Sequence, residues 1–386
     1  MKNNNIRLMY CIAFLQGMVF YASIATLYRT SAGLSLYQIS IIESISYLLT
    51  VGLEIPWGII ADRIGYRATM IFCTVLYFLS KIVFWQSASF SMFLLERVML
   101  SVVFSGLSGV DTSILYLSDK GNSQKVFSIY GALGTAGMIL SSLITAVWIK
   151  DQYRLSGFLT ILPYAAAAVL VFFLKEVKSS KKRQNLHEIL ATLNSTVHHR
   201  TLLFLVIGAG LLFESLHMIM VFLNQPIYTA AGMNTSWISF VFIGMTLIGL
   251  LEVYSAPLTK RIGRKKTGMM LFLISGLSSV LLAFTSNRYI AVGCIAIVNL
   301  SYALFMPLFT AYEHDLVHSG DRATVISVGA LIMDLIAAGV DLFIGKASDL
   351  SLFAACICSA VLILAGSVFW MLAVSSTSMQ KTKNLQ

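Results

Sequence analysis

Glu214 and His217 stand three positions apart inside a long apolar run, and no other pair in the chain is better placed for proton chemistry. On a helix that spacing puts both side chains on one face. A carboxylate beside an imidazole in a low-dielectric setting can pass a proton near neutral pH; the same pair can equally serve as a buried polar lock between helices. Lys81, Glu96, Arg97, Asp111, Asp334 and Asp341 are also stranded among apolar neighbours, and Glu54 and Glu252 lie nearer the ends of their runs. Each such charge costs roughly 2.5–3.5 kcal/mol at mid-bilayer on insertion scales. Lys81 and Glu96 are equally far from the midpoint of a short turn, so they share a depth at which they can pair. Arg97 and Asp111, nearly four helical turns apart, should share a face at a separation of about 21 Å. Asp334 and Asp341, seven positions apart, share a face by the same reasoning. Glu313-His314-Asp315 falls at a helix end, where solvation or a gating role is expected. Gln16, Tyr21 and Tyr116, with the amides Asn224 and Gln225 ahead of Pro226, are polar groups suited to lining a cavity.

The elements that must carry these residues follow from composition. Apolar residues make up 58% of the 386-residue chain and charged residues 11%, against roughly 25% charged in soluble domains. Mean hydropathy is +0.82. Apolar runs of about 20 residues recur, each long enough to cross a ~30 Å hydrocarbon core. They fall near 8–29, 36–61, 68–87, 92–117, 125–148 and 156–174, then 201–228, 235–258, 267–285, 289–315, 323–345 and 351–373. No strand periodicity competes, and lipid admits only helices or closed barrels as spanning structures. The expectation is an all-α membrane protein with twelve transmembrane helices.

The net charge of +10 would suggest a nucleic-acid partner in a soluble protein. Here most of the 27 Lys and Arg residues fall on one side of the membrane if the N-terminus is cytoplasmic, the positive-inside asymmetry. Both termini are therefore expected in the cytoplasm, and no nucleic acid as partner. Met1-Lys2-Asn3-Asn4-Asn5 leads straight into a full span without a small-residue cleavage site, which predicts a retained first helix. The polar stretch from Lys175 to Arg200 divides the chain, and residues 186–197 in it could form a short amphipathic surface helix. His187, His198 and His199 have no carboxylate or thiol cluster beside them, and the five cysteines all fall inside predicted spans. No metal is expected, and no G-x-x-x-x-G-K-[ST] stretch offers a nucleotide site, so no cofactor is expected.

The two halves repeat. Leu53-Glu54-Ile55 is followed by Asp62-Arg63-Ile64-Gly65-Tyr66-Arg67, and Leu251-Glu252-Val253 by Lys260-Arg261-Ile262-Gly263-Arg264-Lys265, at an offset of 198 (252 − 54, 263 − 65). Gly131-Ala132-Leu133 returns at the same offset as Gly329-Ala330-Leu331, and Gly33 is matched by Gly232 at 199. Two copies of a membrane bundle suggest alternating access, in which two halves rock about a central site. The duplicated Glu54 and Glu252 favour a shared task in bracing an inner gate. Asp62, Arg63, Arg67 and Arg261 sit where they can cap and brace helix ends at the inner mouth.

Gly58-Ile59-Ile60-Ala61-Asp62-Arg63-Ile64-Gly65-Tyr66-Arg67 resembles the signature loop of the major facilitator superfamily, G-x-x-x-D-R-x-G-x-R/K, with a degenerate copy at 255–266. The chain looks like a compact bacterial, drug-exporter-like member. The resemblance implies two six-helix bundles related by a pseudo-two-fold, residues 1–175 and 201–386, joined by a cytoplasmic linker over 176–200. It also implies that helices 1, 4, 7 and 10 line the cavity. Arg97 then matches a helix 4 arginine linked to proton coupling in antiporters, with Asp111 as a further coupling candidate on that helix, and helix 11 with Asp334 and Asp341 lies at a gating interface. The antiporter pattern is incomplete: Leu100-Ser101 stands where Gln-Gly is usual, and helix 5 has Gly131, Gly134 and Gly137 but no proline.

The resulting expectation is a monomeric, multi-pass secondary transporter of the bacterial inner membrane and not an enzyme. Its partners would be protons, a small-molecule substrate and the lipid bilayer. Proton-coupled export of a small organic compound is the first reading and proton-coupled nutrient uptake the alternative. A membrane-embedded lipid-modifying enzyme is the reading that the two-fold repetition disfavours.

Overall fold

The computed structural model describes residues 2–119, 121–177, 200–316 and 322–383, with backbone alone at 2, 3, 55, 62, 322–324 and 376–383. The helix expected over 186–197, with His187, His198 and His199, lies outside the described residues, and so does the Asp62 side chain. Among the described residues, twelve helical elements are long and apolar enough to cross a membrane. In the first half they are α1 (Asn4–Ser31), α2 (Leu36–Ile64), α3 (Tyr66–Gln86), α4 (Phe90–Ser118), α5 (Ser123–Ile149) and α6 (Tyr153–Phe173). In the second they are α7 (Arg200–Ala230), α8 (Thr235–Ile262), α9 (Arg264–Phe284), α10 (Arg288–Leu316), α11 (Arg322–Leu350) and α12 (Leu352–Lys383). Each overlaps the span expected for it.

Helices form here because an apolar chain in lipid must satisfy its own peptide groups. Large side chains such as Trp148, Leu277 and Phe343 stay exposed on outer faces, where acyl chains would cover them. Buried hydroxyls bond back to carbonyls one turn earlier, as Ser275 to Leu271 and Ser279 to Ser275 in α9. The paired turn glycines of the repeat take the same left-handed backbone: Gly65 at φ +90° between α2 and α3, Gly263 at φ +94° between α8 and α9. Only a residue without Cβ adopts that conformation cheaply, which is why the turn recurs at the matched position.

The chain divides into two compact units. The first contains the residues up to Leu34, those from Ile45 to the linker, and Asn234–Ile243; the second contains Ser35–Ser44, Arg200 to Met233, and the chain from Gly244 on. Within the first, α1 packs on α5 and α6, and α3 on α4 and α6. Within the second, α7 packs on α11 and α12, and α9 on α10 and α12, the same pattern six elements later. The sequence repeat is thus a repeat of packing.

Glycines set how closely α1 and α5 approach. A Cβ added at Gly17 would stand 2.1 Å from the Gly134 carbonyl oxygen, and one added at Gly137 would stand 2.2 Å from that of Phe14. Small residues let backbones meet in this way where lipid supplies no hydrophobic drive. Gly134 and Gly137 of α5 therefore serve helix packing, which needs no proline. Gly137→Ala should destabilise the first unit by about 1–3 kcal/mol, because a backbone atom must move. A lower thermal midpoint in detergent would register it, and Gly131→Ala, with nothing within 4 Å, is the neutral control.

Candidate functional site

Four of the spans that carry candidate residues are discontinuous: α1, α4, α7 and, at its 3-10 turn Leu250–Tyr254, α8. In α1 the helix Lys2–Gly17 ends and resumes as a 3-10 turn Ala22–Ile24 and a helix Ala25–Ser31. The peptide groups freed between them are met by hydroxyls. Phe20 N donates to Thr160 Oγ1 (3.0 Å), Thr145 Oγ1 donates to Phe20 O (2.6 Å) and Ser141 Oγ to Val19 O (3.3 Å). Gln16 and Tyr21 flank this break. Gln16 is half-buried, its carbonyl accepting from the Tyr164 hydroxyl at 2.6 Å, whereas Tyr21 is buried.

In α4 the helix stops at Leu107, Gly109 adopts φ +76°, and a second helix runs Val110–Ser118. The break corrects the expectation that Arg97 and Asp111 share one helical face, since the fourteen-residue spacing no longer belongs to one helix. Asp111 lands instead in the first turn of the second piece, where the helix dipole favours its charge. Its Oδ1 accepts from Thr112 N at 2.6 Å, and Tyr130 of α5 lies within hydrogen-bonding reach. Tyr116 on the same piece is 47% exposed.

In α7 the α-helix Arg200–His217 passes into a π-helical segment Met218–Leu223 and then a helix Asn224–Ala230. Pro226 has no N–H to offer the carbonyl one turn back, and the wider segment ahead of it absorbs the mismatch. Asn224 serves that irregular backbone, its Nδ2 donating to Met220 O (2.6 Å) and its Oδ1 accepting from Gln225 N (2.7 Å). Gln225 is buried beside it. Glu214 and His217 occupy the last turn before the π segment. His217 Nδ1 is 2.9 Å from Glu214 Oε1, with the carboxylate side chain 9% exposed and the imidazole 33%. Tyr302 of α10 lies close enough to feel the Glu214 charge. The arrangement joins a sheltered carboxylate to a more open imidazole, a geometry suited to relaying a proton.

The first unit also holds a charged cluster that is wholly buried. Lys81 Nζ lies 3.8 Å from Glu96 Oε1 and donates to the Tyr21 hydroxyl at 2.9 Å. The same ammonium sits over the rings of Tyr77 (4.7 Å) and Tyr164 (5.1 Å). Arg97 and Arg29 act on Lys81 from nearby, and Arg29 lies over the Phe84 ring. The equal-depth argument for Lys81 and Glu96 therefore describes a real contact. Arg29, near the end of α1, is buried, a place that tertiary contact and not spacing reveals.

The residues expected to gate have mixed surroundings. Arg67 works inside the first unit: Nε donates to Leu174 O (2.6 Å), Nη2 to Phe172 O (2.9 Å), and Glu176 accepts from its backbone N (3.2 Å). Its match, Lys265, reaches Ser375 Oγ of α12 at 3.5 Å, and Arg264 pairs with Asp315. Each pair ties the start of α3 or α9 to its neighbours. Glu54 is half-buried in unbroken α2, whereas Glu252 is exposed in a 3-10 turn, Leu250–Tyr254, so the matched pair has different settings. Arg63 and Arg261 are exposed. Asp334 is half-buried and Asp341 fully buried on unbroken α11. Glu313 departs from the expected solvation, being buried, while Asp315 beside it is exposed.

The family profile described as Major Facilitator Superfamily matches residues 7–340. Among solved structures, the nucleoside transporter NupG is similar at 13% identity and a TM-score of 0.82, over 97% of this chain and 98% of that one. A bacterial homolog of the human lysosomal transporter Spinster, inward-facing and unoccupied, is similar at 16% identity and 0.76, over 96% and 95%. A D-xylose–proton symporter follows at 13% and 0.72, over 96% and 97%. A comparison with curated proteins returns no match.

The Lys81–Glu96 contact yields a stability test. Removing one partner of a buried ion pair strands the other, so Lys81→Met or Glu96→Leu alone should cost about 3–5 kcal/mol. The double replacement should recover much of that loss, measured by unfolding in detergent as a double-mutant cycle. Additive single effects would assign the two charges to separate partners.

Proposed function

The chain belongs to the major facilitator superfamily, and from that premise we propose that it imports a small polar organic solute together with a proton. It is a multi-pass membrane protein and a secondary active transporter of a small molecule. The observation that carries the coupling reading is the Glu214–His217 contact at 2.9 Å, placed directly before the π segment of α7. A carboxylate there can hold a proton in one state of the cycle and charge the imidazole in another. Irregular backbone at membrane depth is tolerated only where protein buries it or it lines a cavity. The breaks in α1, α4 and α7 are accordingly the places where a solute would meet peptide dipoles.

Direction and cargo come from the relatives. Two of them carry nucleosides and D-xylose, the latter with a proton, and their full-length likeness supports uptake by symport over the export first expected. The incomplete antiporter pattern at Leu100-Ser101 leans the same way. Asp111 and Arg97 remain in the proposal as second-line coupling residues. The basic asymmetry supports cytoplasmic termini and a place in the bacterial inner membrane, with the protein acting as a monomer.

Proteoliposomes tested against nucleosides and pentoses, acidic outside, decide the matter. Wild-type protein should accumulate at least one of these compounds, and a protonophore should abolish the accumulation. Glu214→Gln should fall to the protonophore level while keeping solute counterflow. Accumulation driven by an acidic interior would restore the export reading, and normal accumulation by Glu214→Gln would move the proton site elsewhere.

A further inference from the structure

Glu313 lies in the last turn of α10. It is 4% exposed, and among the described residues its Oε1 has no hydrogen-bond partner. The carboxylate fills a notch made by a missing side chain: a Cβ added at Gly329 of α11 would stand 2.6 Å from that Oε1 and 3.6 Å from Val206 of α7. In the first unit the matched Gly131 meets nothing within 4 Å, and Leu115 occupies the position that matches Glu313 (313 − 198). The acid and its notch belong to the second unit alone.

Titratable groups stand on several of the elements around it. On α10, Tyr312 faces Trp370 and Arg264, Asp315 pairs with Arg264, and His314 is the next residue. On α7 no titratable residue lies between Arg200 and Glu214, and on α11 none lies between Arg322 and Asp334. The start of α9 offers Arg264, Lys265 and Lys266, and α8 offers Glu252, Lys260 and Arg261. An ionised carboxylate in the notch would lack both water and a counter-ion, whereas the neutral acid tolerates apolar walls.

We infer that Glu313 is a second proton-binding residue of the transport cycle, protonated while the end of α10 is seated on Gly329 and giving that proton to inner-face water when the two helices part. One O–H bond forms at loading and one breaks at release, so the net event is transfer of a proton down its gradient. This inference rests on the proton-coupled reading above.

Infrared difference spectroscopy at neutral pH, wild type against Glu313→Gln, tests it directly. The wild type should show a protonated-carboxyl C=O band, shifted in deuterium oxide, that the substitution removes. Gly329→Ala, which drives a methyl group into the place of Oε1, should lose the same band with Glu313 still present. In vesicles, Glu313→Gln should lose gradient-driven accumulation to the protonophore level and keep counterflow. Coupled wild-type transport without the band, a band unchanged in either variant, or normal accumulation by Glu313→Gln overturns this inference by itself. Wild-type accumulation indifferent to protonophore overturns the coupling reading beneath it.

Discussion

The demand that every peptide group in lipid find a partner without water governs this structure. An unbroken helix without an internal proline meets the demand automatically, and α9 and α11 do so over their full lengths. A break frees carbonyls and N–H groups, so breaks are confined to places where side chains can replace the lost bonds. Thr145, Ser141 and Thr160 supply them for α1, and Asn224 does so for α7. The irregular segments are therefore supported, and each lies beside polar residues that a regular helix would have turned elsewhere. Structural necessity and candidate chemistry coincide at these places for that reason.

The repeat preserves packing more faithfully than chemistry. The same helix pairs pack in both units, and the turn glycines at 65 and 263 share a conformation. Yet α4 breaks at Gly109, whereas the matched position in α10 is Pro307, within a helix that runs unbroken from Arg288 to Leu316. Proline fixes φ in the helical range, and glycine leaves φ free to turn positive. The charges diverge further. The first unit buries Lys81 and Arg29 with Glu96 among aromatic rings, and the second buries Glu214 beside His217 and Glu313 in an apolar notch. A duplicated scaffold can divide roles in this way because buried charges need only local partners, whereas helix packing must be matched along whole elements.

The Lys81 cluster shows how an ammonium is kept inside such a scaffold. One carboxylate, one phenol and the faces of two further tyrosines replace its water shell. Ring quadrupoles contribute attraction without adding charge. Glu313 is the converse case, a buried acid whose Oε1 meets no hydrogen-bond partner among the described residues, so that a proton would be the way to remove its charge.

The amino-acid sequence by itself determined the twelve spans, the two-fold repetition and the family, because length and hydropathy limits in lipid are severe and because turn glycines repeat at a fixed offset. It also placed Glu214 next to His217 and Lys81 at the depth of Glu96, since helical spacing and a short turn are local geometry. Tertiary structure alone decided where the helices break, and so separated Arg97 from Asp111, which one continuous helix would have aligned. It alone turned Asn224 toward its own backbone, buried Arg29 over Phe84, and seated Glu313 against Gly329. Those outcomes depend on which side chain from another helix fills a gap or meets a freed carbonyl. Spacing along one segment carries no record of that.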